Sequence, residues 1–469
     1  MPIRHVEDCG VSYCLVLLDK EGRERPEQDG ALLSTKIREL VEDGVTDLFI
    51  ASHGWMGDVP AANHQYDAWV RVMAKQSDDR ALARRLDPQF KSLVIGIHWP
   101  SLPWGDERAE TAVLGAGDDD DELAYECEMS AHDLVDRYAQ RIVDTRAARS
   151  ALQTIVAAAD NPAVAEKIAA GTLPPELDAA YLELFAEAGL KAGGVTAPPG
   201  ADQEVFKPLE TAREWLRAVK VSGPAPGGGG DPGVLGVFGR ISDAVLGPVR
   251  QISFWTMKNR ARIVGERDVH HILRMMQDAS DARIHLMGHS FGCIVMTAAT
   301  AGPTSAGQQT DPLPRPVDTL FLVQGAMSLW SFAEAIPYPP GEPGYFRVLC
   351  QAPRRVAGPI VATNSRHDRA VGTFYPLGSR LGSDRILGYN DFPEYGGIGS
   401  FGVQGTEPRE EMEVLAADAT YRFAPGTTYN IEASRVIASG SGLSGAHSDI
   451  VHDEIAHIFW QAALSNLSC

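Results

Sequence analysis

Short apolar runs alternate with amphipathic stretches along residues 11–101. Val11–Asp19 is a run of β-formers, which predicts a buried strand. Leu32, Ile37, Leu40 and Val41 then fall at helical spacing. Residues 46–55 (TDLFIASHGW) predict a second strand running into a glycine turn, and residues 66–76 (YDAWVRVMAKQ) a helix. Residues 91–101 (KSLVIGIHWPS) predict a third strand, stopped by Pro100. Strand–helix–strand alternation of this kind calls for a mostly parallel sheet with helices on both faces.

The alternation breaks off at Leu102 and resumes after Leu246. Between them lie helical patterns rich in Ala and charge, punctuated by Pro and Gly, and no strand pattern. Residues 102–246 are therefore expected to form a helical insertion into an α/β core built from residues 1–101 and 247–469. Residues 222–233 (SGPAPGGGGDPG) have the composition of a flexible linker. The acidic run Asp118–Glu122 lacks the ligand spacing of a calcium loop and suits a helix N-terminus instead. Beyond the insertion, residues 254–277 read as helix, 282–288 as strand and 291–300 as helix. Strands follow at 317–326, 358–365 and 427–434. A last helix over 449–465 carries Ile455, Ile458, Phe459 and Ala462 on one face.

A net charge of -20 argues against nucleic acid and anionic membranes, whose binding rests on Lys and Arg. The six cysteines are scattered without metal-ligand spacing, and Cys14, Cys293 and Cys350 sit in apolar runs as buried thiols. No signal-peptide pattern opens the chain, and no apolar run has the length of a membrane span. The expectation is a cytoplasmic, reduced protein.

Residues 288–292 read Gly-His-Ser-Phe-Gly where a strand pattern becomes a helix pattern. A serine hydroxyl is a weak nucleophile that needs exposure and a base. A sharp strand-to-helix turn lifts Ser290 above the sheet edge. It crowds the neighbouring backbone, so only residues without bulk fit at 288 and 292. The new helix N-terminus also offers N–H groups to a developing oxyanion. This is the nucleophile-elbow pattern. Gly399–Gly402 (GSFG) has a similar look but no strand before it.

On this motif and the surrounding alternation, the chain resembles the α/β-hydrolase superfamily in its serine esterase and lipase-like branch. The resemblance covers Val11 to the terminal helix, apart from the insertion. It implies an acid after a later strand and a histidine after the last one. Asp368, in the loop following 358–365, is the acid candidate. Asp318 precedes its strand and is a poor rival. His447, in a Gly/Ser loop before the terminal helix, is the base candidate, with Ser448 or Asp449 as helix cap. His452 and His457, placed in the helix, are its rivals. The spacing of His447, Asp449, His452 and His457 does not put two histidines on one helical face, so no metal site is expected. His289 should point away from Ser290.

The first oxyanion-hole donor implied is Phe291 N–H. The second comes from the His53–Gly54 turn, from Trp55 or, one residue on, Met56, with Gly54 allowing close approach. Trp99 and Trp104, with Trp255, are candidates to wall an acyl pocket. The implied function is hydrolysis of a small acyl ester through an acyl-enzyme, without a cofactor, beneath a helical cap formed by the insertion. An amide, peptide, thioester or lipid substrate is the alternative within the same chemistry. A binding protein on a hydrolase scaffold is the alternative outside it.

Overall fold

The computed structural model describes residues 3–54, 59–101, 130–159, 174–189, 234–305, 308–337, 343–371, 396–440 and 445–467, with a few isolated positions between them. The chain divides into two compact units. One comprises Met1–Asp119, Pro198–Asp202 and Lys258–Cys469, and the other Asp120–Ala197 and Gln203–Met257.

The first unit is built on a nine-stranded sheet. In chain order its strands are β1 (Ile3–Val6), β2 (Val11–Leu17), β3 (Asp47–Ser52), β4 (Ser92–His98), β5 (Arg283–His289), β6 (Thr319–Val323), β7 (Ile360–Asn364), β8 (Arg409–Glu413) and β9 (Thr428–Glu432). They lie in the order β1-β2-β4-β3-β5-β6-β7-β9-β8. Every pairing is parallel except that of β1 with β2. The middles of the central strands are mostly apolar because both their faces are covered. All residues of β3 and β6 are buried.

The flanking helices are α1 (Leu33–Glu42), α2 (Val59–Lys75) and α3 (Ser77–Leu86) before the insertion. In the second unit lie α4 (Ala131–Arg141), α5 (Arg146–Ala159) and α6 (Pro175–Glu187). Then come α7 (Val234–Val264), α8 (His270–Ala279), α9 (Gly292–Ala301) and α10 (Asp453–Leu464). Residues 246 and 247, where the pattern suggested a boundary, lie within α7. A kinked turn, Gly265–Val269, in which Arg267 leaves the helical region (φ -102°, ψ -108°), joins α7 to α8. A Cβ at Gly265 would stand 2.4 Å from the Val295 carbonyl oxygen, so α9 packs directly on this turn. On one sheet face Tyr13, Phe49, Phe321 and Tyr429 meet Tyr66 and Trp69 of α2 and Phe459 and Trp460 of α10.

The strands and helices expected from the apolar pattern are present, and α2 begins earlier than expected. Among the described elements not anticipated are β1, β8 and α3. β1 and β8 are edge strands whose exposed residues carry no alternation, and α3 is too charged to show an apolar face in sequence. The helix α10 begins at Asp453, with His452 rather than Ser448 or Asp449 at the N-cap position. Cys14 and Cys293 are buried, but Cys350 is half-buried.

The registers set the strand ends level. Ser52 pairs with Gly288, His289 with Val323, and Val323 with Thr363. The chain segments at Gly54, Ser290, Gln324 and Ser365 therefore all leave one edge of the sheet.

At the opposite edge, Asp47 (1 % exposed) accepts from Arg283 Nε and Nη2 (2.8 and 2.7 Å) and from His285 Nε2 (3.0 Å). Burial pushes its carboxyl upward, but His285 and Arg283 outweigh that and hold it well below the usual carboxylate range. His457 of α10 donates from Nδ1 to Asp79 (2.6 Å) and from Nε2 to the Ala419 carbonyl (2.5 Å). Burial disfavours its charge. Asp79 and the Ala419 carbonyl outweigh that and hold the imidazole above the usual histidine value.

The two groups predict opposite pH behaviour. Asp47's folded-state value is depressed, so its contribution is full above the unfolded carboxylate value of about 4 and is lost as pH falls further. Asp47→Asn should cost on the order of 3 kcal/mol near neutrality in denaturant unfolding, with the gap to wild type closing in acid. His457's value is raised, so its contribution is full below about pH 6.5 and is lost as pH climbs through the raised value. His457→Gln should melt below wild type at pH 6, and the difference should shrink in alkali.

Candidate functional site

Ser290 sits between the end of β5 and the first residue of α9, with φ 55°. A side chain in the left-handed region is strained, and the surroundings have to hold it there. They do so by close packing. A Cβ at Gly288 would meet Cys293 N and Gly292 O at 2.4 Å, and one at Gly292 would meet the Ser52 carbonyl oxygen at 2.2 Å. The strand, the turn and the helix therefore fit together only with glycine at both positions. Ser290 N–H donates to the Val323 carbonyl (3.2 Å), and its carbonyl accepts from Cys293 N (3.1 Å) and Ala326 N (3.2 Å).

The loop after β7 and the loop before α10 meet beside it. Asp368 and Gly445 form an isolated antiparallel bridge, and Ala446 N donates to the His367 carbonyl (2.8 Å). Gly445 has φ 58°, and a Cβ there would stand 2.2 Å from the His367 carbonyl oxygen. This backbone contact sets His447 next to Asp368. His447 Nδ1 lies 2.8 Å from Asp368 Oδ2, and His447 Nε2 lies 2.8 Å from Ser290 Oγ. The carboxylate can only accept, so Nδ1 carries the proton and Nε2 is left to accept from the serine hydroxyl. Asp368, His447 and Ser290 are 4 %, 9 % and 5 % exposed, so the relay is shielded from bulk water.

The rivals are engaged elsewhere. Asp318 accepts the Ile284 N–H (2.8 Å). Asp449 accepts from Ala438 N (3.0 Å), Ser439 N (2.7 Å) and His452 Nε2 (2.8 Å). Both ring nitrogens of His457 are occupied by Asp79 and Ala419.

Two histidines of this edge act on their neighbours. His289 points away from Ser290. Its Nε2–H donates to the His447 carbonyl (3.0 Å), and its Nδ1 accepts from the Gln65 amide (3.0 Å). Its ring centre is 5.2 Å from that of His447. His53 Nδ1–H donates to the Gly54 carbonyl (2.8 Å), leaving Nε2 to accept from His98 Nδ1–H (2.9 Å) and Trp99 N–H (3.3 Å). Burial, with the neighbouring ring adding to it, holds each down to about 3: His98 for His53 and His447 for His289. Both are neutral near pH 7.

Gly54 lies directly against Ser290: a Cβ there would meet Ser290 Cβ at 2.6 Å and Oγ at 3.2 Å. Phe291 is the N-cap residue of α9 and is buried. Trp99 is fully buried (0 %), stacked 4° from coplanar on His53, with Nε1–H donating to the His53 carbonyl (3.2 Å). Its ring braces the His53–Gly54 turn from inside the core. Trp255 is buried in the second unit. Trp55, Met56, Trp104 and the acidic run Asp118–Glu122 lie outside the described residues.

Gln324 carried no sequence signal, because it reads as one polar residue at the end of a strand. Among the described residues it is the other non-glycine residue with positive φ, 47°, and it is fully buried. Its amide donates to Asp368 Oδ2 (3.0 Å) and the Gly399 carbonyl (3.2 Å), and its Oε1 accepts from Thr363 Oγ1 (3.1 Å). The GSFG segment closes the other side. A Cβ at Gly399 would meet Asp368 Oδ2 at 2.6 Å, and Ser400 Oγ donates to the Asp368 carbonyl (3.1 Å).

Comparison with protein-family models, curated proteins and solved structures finds no match to this chain.

Gln324→Met, close in volume but unable to donate, should cost on the order of 1–3 kcal/mol in denaturant unfolding. It should also shift the NMR resonance of the His447 Nδ1 proton. An unchanged resonance in the folded variant would show that Gln324 does not hold Asp368.

Proposed function

We propose that the chain is a serine hydrolase of the α/β-hydrolase kind, acting on a carboxylic ester of a small acyl group. The observation that carries this reading is the relay of two 2.8 Å contacts, Asp368 to His447 to Ser290, ending on a serine held at positive φ. A serine with an ordinary helix-capping role needs neither a buried imidazole on its hydroxyl nor a carboxylate behind that imidazole.

In the proposed reaction Ser290 Oγ attacks the acyl carbonyl carbon as its proton passes to His447 Nε2. Asp368 keeps Nδ1 protonated and stabilises the imidazolium. Phe291 N–H faces the oxyanion, and the second donor that the sequence suggests is Trp55 or Met56. Collapse of the tetrahedral adduct breaks the ester C–O bond, and His447 returns the proton to the leaving alkoxide. Water then adds to the acyl-enzyme by the same route. The neutral state of His289 supports this scheme, since a second cation beside His447 would oppose its protonation.

We further infer that residues 102–246 serve as a cap. The support is positional: the chain enters this stretch just after the end of β4, on the edge that carries Ser290, and the regular elements among its described residues are helices. In open parallel sheets ligands bind outside the carboxyl ends of the strands.

A fluorophosphonate probe should label the wild-type protein at Ser290 and leave folded Ser290→Ala unlabelled. Hydrolysis of p-nitrophenyl esters should vanish in the same variant, and Asp368→Asn should lower kcat by about 10⁴-fold. The ratio kcat/KM should fall on acidification, because a protonated Nε2 cannot accept the serine proton. Undiminished turnover by folded Ser290→Ala would end this reading.

A further inference from the structure

A cavity of about 250 Å³ lies within the first unit, between the sheet and the helices α2, α3 and α10. Phe49 of β3, Trp69 of α2, and Phe459 and Trp460 of α10 form apolar walls, and all four are buried. The one polar atom of the Trp460 ring is already satisfied, since Nε1–H donates to the Met73 carbonyl (3.0 Å). Apart from the Trp69 indole N–H and the Ser92 hydroxyl, the uncharged side chains of the lining present hydrocarbon and aromatic surface. An unfilled apolar space of this size weakens a fold, because its lining forfeits contacts.

The same cavity is lined by three cations, Arg80, Arg84 and Lys91, and by no carboxylate. Arg84 and Lys91 are exposed and Arg80 is half-buried, so the charges stand on the solvent side of the apolar walls. Arg84 has no ion pair among the described residues. Arg80 donates to the Ala74 carbonyl (2.9 Å), and Lys91 to the Asp43 carbonyl (2.8 Å), with the Asp43 carboxylate at 3.7 Å. Asp43 offsets Lys91, so in a chain of net charge -20 it is Arg80 and Arg84 that give this apolar opening a local field of the opposite sign.

An apolar interior with a cationic rim complements an amphiphile with an anionic head. A cavity of about 150 Å³ takes up benzene. On that scale about 250 Å³ has room for roughly ten carbons. We propose that this cavity is a binding site for a single-chain fatty carboxylate of about ten carbons, chain against Trp69 and Trp460 and head group on Arg84 and Arg80. The site is distinct from Ser290, and the proposal does not depend on the hydrolase reading.

Isothermal titration calorimetry of the full chain with decanoate tests it. Saturable binding of one decanoate per chain is expected, with decanol weaker by about tenfold or more. Arg84→Glu should weaken decanoate by about tenfold or more and leave decanol within about twofold. Ala74→Phe, which fills the space, should abolish binding of both, and Ser290→Ala should bind as wild type does. Unfolding by circular dichroism identifies the folded variants, and Arg84→Glu, at an exposed position, is the one on which the proposal stands. No saturable binding, equal affinity in wild type and Arg84→Glu, or loss of binding in Ser290→Ala would each overturn the proposal.

Discussion

The approach of α9 to the ends of β3 and β5 is the constraint on which the rest depends. With Gly292 packed on the Ser52 carbonyl and Gly288 on Cys293, the chain turns from strand to helix without room for a Cβ. That geometry forces Ser290 to positive φ, a conformation unfavourable by itself and stable only where the surroundings leave no alternative. The surroundings comprise the Val323 carbonyl on one side and the His53–Gly54 turn on the other. His53 is in turn locked by His98 and Trp99, so the fully buried Trp99 ring, distant in sequence from Gly54, helps fix the backbone against Ser290.

Polar chemistry is divided between the two sheet edges by the same registers. The edge carrying Asp47 binds its charges permanently, with Arg283 and His285 offsetting the cost of burial. The opposite edge collects histidines and keeps two of them neutral. Burial strips His53 and His289 of their charge, and hydrogen bonding gives each a defined tautomer. Of the groups placed here, His447 alone combines a carboxylate on one nitrogen with a hydroxyl on the other. Its position is set three times over: by Asp368, by the bridge between Gly445 and the Asp368 loop, and by His289 on its carbonyl. A side chain restrained in this way loses little entropy on aligning for proton transfer.

Much of this was legible from the chain. The β-rich runs at 11–19, 46–55, 91–101 and 282–288 mark strands because residues buried on both faces must be apolar, and that demand is local. The glycines flanking Ser290 are legible for the same reason, since a missing Cβ records a close approach. What escaped was set by contacts distant in sequence. Gln324 differs from any strand-end glutamine only because Thr363, Asp368 and Gly399 surround it. His457 reads as a polar residue of a terminal helix until Asp79, in a helix without an apolar stripe, is placed against it. Trp99 follows a strand at the proposed site edge, yet the stacked His53 ring turns it into the core.

Asp368 shows how local and distant constraints combine. Its place after β7 follows from strand order, but a carboxylate in that loop is of use only if its oxygens face the imidazole. Gln324 and His447 share Oδ2, so two donors draw the same oxygen inward, and Gly399 leaves the space for it. A neutral amide donor suits this position better than a cation would. An arginine or lysine on Oδ2 would compete for the carboxylate's charge and leave less of it to stabilise an imidazolium. Gln324 supplies a hydrogen bond without that competition, and its own strained backbone is held by the same contacts that orient the acid. Among the described residues, the two non-glycine residues at positive φ thus flank one relay, one carrying the hydroxyl and the other steadying the carboxylate at its far end.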